Sequence, residues 1–417
     1  MRSHHEGADM PPDEATGATT TVAPDAAGRA DHGPSPHGGR PPVPARVRQI
    51  DADVARTVER RLGQLLAPRV AQATAADAAF GTDVAGRVAR FTLDGGRRLR
   101  PQFLWWGLRV CGLPDDEQTE AAVRLGAALE LIQTCALVHD DVMDRASTRR
   151  DGPALHVDLA ADHEPSAHPG RDRFGESAAI LAGDLALAWA DDEAAAVPLP
   201  ERRAARVRDT WSRMRTEMVA GQYLDLRGEL TRSRSLRRAL SAACLKTALY
   251  TVERPLQLGA LLADADETTL HALGAAGRGA GLAFQLRNDL DDVFADSTGR
   301  SEPAGGDLRA GKPTYLVALA HARAEADGDR HALRVLDHCL GRPDLTESDL
   351  DEIRDVLERT GARHNVEDKI SSLIARSTRH LDTAPLDPAA RTRLRTLMHR
   401  AAGARTAAVT VAQGAVE

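Results

Sequence analysis

Apolar residues recur at three- and four-residue steps along most of the chain. Val54, Val58, Leu62 and Leu65 do so near one end, and Val366, Ile370, Leu373 and Leu381 near the other. That period puts them on one face of an α-helix, whereas the strict alternation of a half-buried strand is scarce. The stretch "DLTESDLDEIRDVLERTGA" carries both ends of one predicted helix: Thr346 with Asp349 three residues later as a start signal, and Gly361 as a C-cap. Short Gly and Pro breaks such as "CGLPDDE" and "LGRPDL" separate further helices. The pattern predicts one all-α domain. Its long polar break, "ADHEPSAHPGRDRFGE" at residues 161 to 176, is expected to be a mobile loop at the edge of a site.

The helical pattern begins near residue 49. Residues 1–48 are rich in Pro, Gly, Ala, Asp and His and have almost no large apolar side chains, so they predict a disordered tail. The domain is expected over residues 49–405, with a flexible C-terminal tail at 406–417.

With 417 residues and 42% hydrophobic content, the chain has ample material for a buried core. A net charge of -7 argues against nucleic acid as the partner, because phosphate neutralisation wants a basic surface. Cys111, Cys135, Cys244 and Cys339 lie far apart with no CxxC spacing, which fits neither a zinc site nor a disulfide framework and points to a reducing cytoplasm. The N-terminal residues lack the pattern of a secretory signal, and no stretch is expected to reach the ~18 apolar residues of a membrane span, so no stable membrane insertion is expected.

Two acidic clusters change the picture. On a helix expected from about Glu120 to Asp144, Asp140 and Asp144 are four apart and share a face, with Asp141 beside them. Three close carboxylates repel one another unless solvated or holding a hard cation, for which Mg²⁺ with phosphate oxygens is the usual partner. "FQLRNDLDDVFAD" repeats the arrangement after another apolar helix, with Asn288, Asp289 and Asp292 at helical spacing. Two such helix ends facing each other across a bundle can hold several divalent ions. Basic groups complete the pattern: Arg97, Arg98 and Arg100 in "GGRRLRP", Arg149 and Arg150 in "TRRDGP", Lys246 with Thr247 in "LKTALY", and Lys312 in "DLRAGKP". Arginine forks and lysine charges suit diphosphate oxygens. Acids for Mg²⁺ beside bases for diphosphate imply a magnesium diphosphate substrate.

These motifs, with "ILAGDLALAWA", "MVAGQYLDL", "KTALYTVERP" and "GGDLRAGK" in the same order, resemble the trans-isoprenyl diphosphate synthases, the polyprenyl synthetase family, over roughly residues 50 to 380. The resemblance implies a single-domain helical bundle around a deep central cavity, usually a homodimer. It implies condensation of isopentenyl diphosphate with an allylic diphosphate, with three Mg²⁺ ions per site. Asp140, Asp144 and the second motif would bridge metal to the allylic diphosphate, and Lys246 and Lys312 would stabilise the departing charge. Arg97, Arg100 and Arg150 would hold isopentenyl diphosphate, Arg149 would grip the allylic diphosphate, and Thr247 and Gln285 would line its site. Cys135 and Ala136, five and four positions before the first motif, would form the cavity floor. Both are small, which implies at least geranylgeranyl diphosphate, with Ile132 and Leu129 as deeper stops.

Three positions depart from the family. Asn288 replaces the first aspartate of the second motif, Gln133 replaces a histidine that helps hold isopentenyl diphosphate, and Glu302 stands where a lysine is frequent, with Arg300 close by. Asn288, Asp292 and Asp296 also match the asparagine-led metal motif of class I terpene cyclases, so a cyclase remains a rival reading. A non-catalytic subunit of a heteromeric synthase is another.

Overall fold

The computed structural model describes residues 42–150, 152–162, 168, 170–295 and 304–403. Within them the chain is almost wholly helical, as the periodicity predicts. The single exception is a two-stranded antiparallel hairpin that pairs Thr148 with Pro153 and Arg149 with Gly152.

The Asp116–Met143 helix, hereafter the axial helix, is largely buried in the core. It starts at a capping box in which Asp115 accepts from the Gln118 backbone while the Gln118 side chain accepts from the Asp115 amide. Leu125, Leu129, Leu131 and Ile132 on it are fully buried, and it packs against the Arg171–Ala195 helix. A second long helix, Glu267–Phe294, packs against Ala362–Leu381 on one side and against Cys244–Glu253 on the other. The Cys244–Glu253 segment is π-helical, a wider winding that is often found at functional sites. It runs between two glycines. A Cβ at Gly221 would collide with the Lys246 backbone, and one at Gly281 with the Ala248 backbone, so only glycine lets both neighbouring helices approach this closely.

Thr346 and Asp349 form the expected capping box, and Gly361 follows the helix in a left-handed conformation at φ 68°. Four expectations need correction. A helix spans Ala45–Ala52, seated by buried Val47 and Ile50, so order begins before residue 49. The polar break is shorter than 161–176: a helix covers Leu155–Ala161 and the next begins at Arg171. The first acidic helix starts at Asp116 rather than near Glu120. That same helix is long and apolar enough to cross a membrane, contrary to the expectation, yet its apolar window is 78% buried inside the protein. The tails at 1–41 and 404–417, and Asp296, Arg300 and Glu302, lie outside the described residues.

Candidate active site

A cavity of about 610 Å³ opens between the axial helix, the π-helical segment and the Glu201–Leu230 helix. Arg97, Arg100 and Arg150 line one wall. Arg97 lies over the Phe284 ring at 5.1 Å, Arg100 over Tyr250 at 4.3 Å and Arg150 over Phe91 at 5.0 Å. Arg100 also donates to the Thr251 hydroxyl at 2.9 Å, and Arg150 to the Phe91 carbonyl at 3.0 Å. Burial holds the Arg97 and Arg150 guanidiniums below their ordinary pKa, and none of the three is ion-paired to a carboxylate among the described residues. Three cations held over rings, one by a hydroxyl and one by a carbonyl, with no carboxylate paired to them among the described residues, fit a multiply charged anion. Gln133 lines the same wall, with its Oε1 buried and unpartnered.

Arg98 does something else. It adopts a left-handed backbone at φ 47°, which turns its side chain into the core, where it is paired to Glu130 at 2.6 Å and donates to the carbonyls of Thr92 and Leu93. Sequence grouped it with the two anion-facing arginines, and the structure makes it an internal strut.

Where Asp140 and Lys246 line the cavity, and in the adjoining cavity that shares Lys246, the charges are opposed in pairs. Lys246 lies between Asp140 at 3.1 Å and Asp225 at 2.8 Å, and Gln222 also donates to Asp140 at 2.8 Å. Lys312 lies between Asp144 at 2.7 Å and Asp307 at 3.6 Å. Burial would raise the Asp140 carboxyl, but Lys246 and Lys312 outweigh it and hold the group below its usual value. Asp144 goes the other way, because burial there exceeds the pull of Lys312. Burial disfavours both ammonium charges, yet the surrounding carboxylates raise Lys246, and raise Lys312 well above its ordinary value. Glu229, one helical turn beyond Asp225, is pushed up to about 7, chiefly by burial, with Lys312 opposing the rise and Asp144 and Asp225 adding to it; its Oε1 is buried without a partner.

The second motif divides. Asn288 faces the cavity with Asp140 and Lys246. Asp289 is buried, accepts from Gln285 at 2.7 Å, and is raised well above its ordinary pKa by burial. Gln285 in turn accepts from Thr247 at 2.6 Å, so Thr247, Gln285 and Asp289 form a chain. Asp292 accepts from the backbone amides of Gly306 and Asp307, each at 3.1 Å, and so tethers the segment that carries Lys312. Asp141 and Arg149 depart most from expectation. Asp141 is fully buried and accepts from Arg149 Nε at 2.8 Å, so these two face each other away from the cavity lining. Neighbours on a helix point about 100° apart, and Asp141 takes the inward direction where Asp140 takes the open one.

Among the described residues no three acids or histidines are gathered tightly enough to form a ready metal centre. The donor set nevertheless fits a divalent cation. Around the two lysines stand Asp140, Asp144, Asp225, Asp307 and Glu229, five carboxyls against two ammoniums. The orphaned Glu229 oxygen marks the uncompensated negative charge. Gln222, Asp225, Glu229 and Asp307 were not singled out in the sequence. Asp225 and Glu229 in "GQYLDLRGE" are an acidic pair four apart, the same signal that picked out Asp140 and Asp144.

Below this site the cavity is apolar. Cys135 and Ala136 line it, with Leu187, Met218 and Leu226, whereas Ile132 lies in the core behind the lining.

Comparison with known proteins agrees with this geometry. The family model of polyprenyl synthetase matches residues 84–357. A geranylgeranyl diphosphate synthase of Methanosarcina mazei is 33% identical over 236 residues, 56% of this chain and 66% of that one. A geranylfarnesyl diphosphate synthase of Aeropyrum pernix is 29% identical over 294 residues, 70% of this chain and 84% of its own. The crystal structure of geranylgeranyl pyrophosphate synthase from Corynebacterium glutamicum, complexed with isoprenyl diphosphate and magnesium, superposes with a TM-score of 0.78 at 36% identity, covering 84% of this chain and 98% of that one.

Proposed function

From the premise that the chain belongs to the polyprenyl synthetase family and is a trans-prenyltransferase, we propose that it condenses isopentenyl diphosphate with an allylic diphosphate to make geranylgeranyl diphosphate. The observation that carries this reading is a pair of neighbouring anion sites: Arg97, Arg100 and Arg150 on one wall of the cavity, and Lys246 at its acidic end, with Lys312 in the adjoining cavity that shares Lys246. A cyclase ionises a single diphosphate and has no use for the first. Asp140, Asp144 and Asn288 would hold Mg²⁺, three ions in this reading, and the metal would neutralise the diphosphate and favour its departure. Lys246 and Lys312 face the leaving oxygens, while the three arginines orient the isopentenyl double bond toward the allylic carbon. In this assignment Gln133 donates to isopentenyl diphosphate, and Thr247 and Gln285 bound the allylic site. Asp141 orients Arg149, through which any grip on the allylic diphosphate would run.

Small Cys135 and Ala136 at the cavity wall support a product of at least twenty carbons, and the relatives' names span more than one length. Val219 and Tyr223 line the cavity yet are 62% and 61% exposed. A second copy covering them would exclude the water that quenches the cation, which supports a homodimer. Four free thiols support a cytoplasmic setting. The test is incubation with Mg²⁺, isopentenyl diphosphate and separate allylic primers, followed by mass analysis. Longer diphosphates support the synthase; a released hydrocarbon would show a cyclase, and absence of turnover a non-catalytic subunit.

A further inference from the structure

The stretch "KTALYTVERP" brings Lys246 and Thr247 to the site, yet none of its last four residues lines either cavity. They fall inside one continuous helical run made of Leu236–Ala243, the π-helical Cys244–Glu253 and Arg254–Leu262. Pro255 lies in the interior of that run, where α winding would drive its ring into the carbonyl four residues back, that of Thr251. The wider winding relieves the clash, and the Arg254 amide accordingly bonds five residues back, to the Leu249 carbonyl. Pro255 therefore accounts for the π winding at this end. It does not account for ten residues of it, since such winding is usually a single turn.

Both ends of the segment are anchored to the same two helices. At the near end Lys246 bonds Asp225 on the Glu201–Leu230 helix, and Thr247 bonds Gln285 on the Glu267–Phe294 helix. At the far end Arg254 forks onto Glu217 of the first helix at 2.8 and 2.6 Å, while Glu253 accepts a fork from Arg278 of the second at 2.7 and 2.9 Å. A Cβ at Gly277 would meet the Glu253 backbone at 2.8 Å, so the approach is as close here as at Gly281. Stability alone is a poor reason for this arrangement. Glu253 is 1% exposed, and a buried ion pair barely repays its desolvation where apolar residues would serve as well. What forked pairs add is direction. Because α and π windings turn by different angles per residue, directional bonds at both ends fix the winding between them. Resting on the two-substrate reading above, we propose that Glu253 and Arg254, with Arg278 and Glu217, are positioning residues for the reaction. They hold the segment that presents Lys246 and Thr247 to the allylic diphosphate and seats Arg100 on Tyr250 and Thr251. One rigid segment then sets both substrate sites, and loss of the far anchor turns both out of register together.

The test is steady-state kinetics with Mg²⁺, isopentenyl diphosphate and an allylic diphosphate, run where circular dichroism shows each variant folded. R278A removes a side chain that is 58% exposed and so disturbs packing little, while E253Q removes the buried charge itself. Each is expected to raise KM for both substrates by roughly tenfold or more, since small misplacements of binding groups carry large penalties. A merely structural role would not do this: a smaller folded fraction lowers the apparent kcat and leaves both KM values where they were. E193Q is the control, because Glu193 is an equally buried acid held by Arg61 and Arg124 with no member on the segment. It is expected to lose stability with both KM values unchanged. R278A decides the matter should E253Q not fold. The proposal is overturned if either KM stays at the wild-type level in folded R278A, or if E193Q raises both as much. Failure of the wild type to elongate any primer would refute the two-substrate reading instead, and it shows before any variant is compared.

Discussion

Lys246 and Asp140, 106 positions apart in the chain, are joined at 3.1 Å across the mouth of the cavity. The ammonium also reaches Asp225, so one lysine holds the axial helix to the Glu201–Leu230 helix. Lys246→Ala removes the ammonium from two part-buried carboxylates, leaving Asp140 with Gln222 alone, and should cost roughly 2 kcal/mol of stability in the absence of metal. Mg²⁺ should recover more of the melting temperature in this variant than in the wild type, while kcat falls by roughly 100-fold. Equal Mg²⁺-induced shifts in the two proteins would count against a metal between these acids.

Arg98 and Arg100 should separate cleanly. Arg98→Ala strands Glu130 in the core and is expected to destabilise the fold by about 3–5 kcal/mol, read by chemical denaturation. Arg100→Ala should change stability little and raise KM for isopentenyl diphosphate by roughly tenfold or more, with the allylic KM near its original value. A raised allylic KM instead would place Arg100 on the wrong substrate.

Asn288→Asp restores a charged oxygen where the cavity has only an amide. The Mg²⁺ concentration for half-maximal activity should fall, by roughly threefold to tenfold, since a carboxylate binds a hard cation more tightly. An unchanged Mg²⁺ requirement would remove Asn288 from the metal site.

Cys135→Phe fills the cavity wall and should shorten the product, seen as a shift in chain length by mass spectrometry. The Cys135 thiol is pushed up to about 12, chiefly by burial, so it should also resist alkylation at pH 8. An unaltered product spectrum would refute the floor assignment.

Glu229 supplies a pH dependence with a definite sign. Its folded pKa of about 7 lies above the ordinary 4.5, so between those values the native state keeps a proton that the unfolded chain has lost. Stability from this group is full below about 4.5 and falls as pH rises through 7. In metal-free buffer Glu229→Gln should therefore gain on the wild type between pH 5 and pH 8, and a pH-independent difference would exclude the assignment.

The fold class is readable in the chain because burial along long helices imposes the 3.6-residue period that Val54, Val58, Leu62 and Leu65 display. The separation of Arg98 from Arg97 and Arg100 is not readable, since it depends on one left-handed residue at a helix start. Nor is the inward turn of Asp141: spacing says which residues share a face, but not where on the helix the core ends. Asp307 and Asp225 join the site through long-range packing, and Asp307 lies in a short segment tethered by Asp292, where no periodicity marks it.

The two half-buried lysines would make the acidic end of the site an internal ion exchanger. With no metal bound, Lys246 and Lys312 serve the acids as resident counterions. A divalent ion taking over the carboxylates would release both ammoniums to an arriving diphosphate, and a diphosphate drawing off the ammoniums would in turn expose the carboxylates to metal. Affinity for each is then coupled to the other by the same factor, as linkage requires. Because the exchanged charges belong to the protein, that coupling should persist at salt concentrations that abolish attraction between exposed groups.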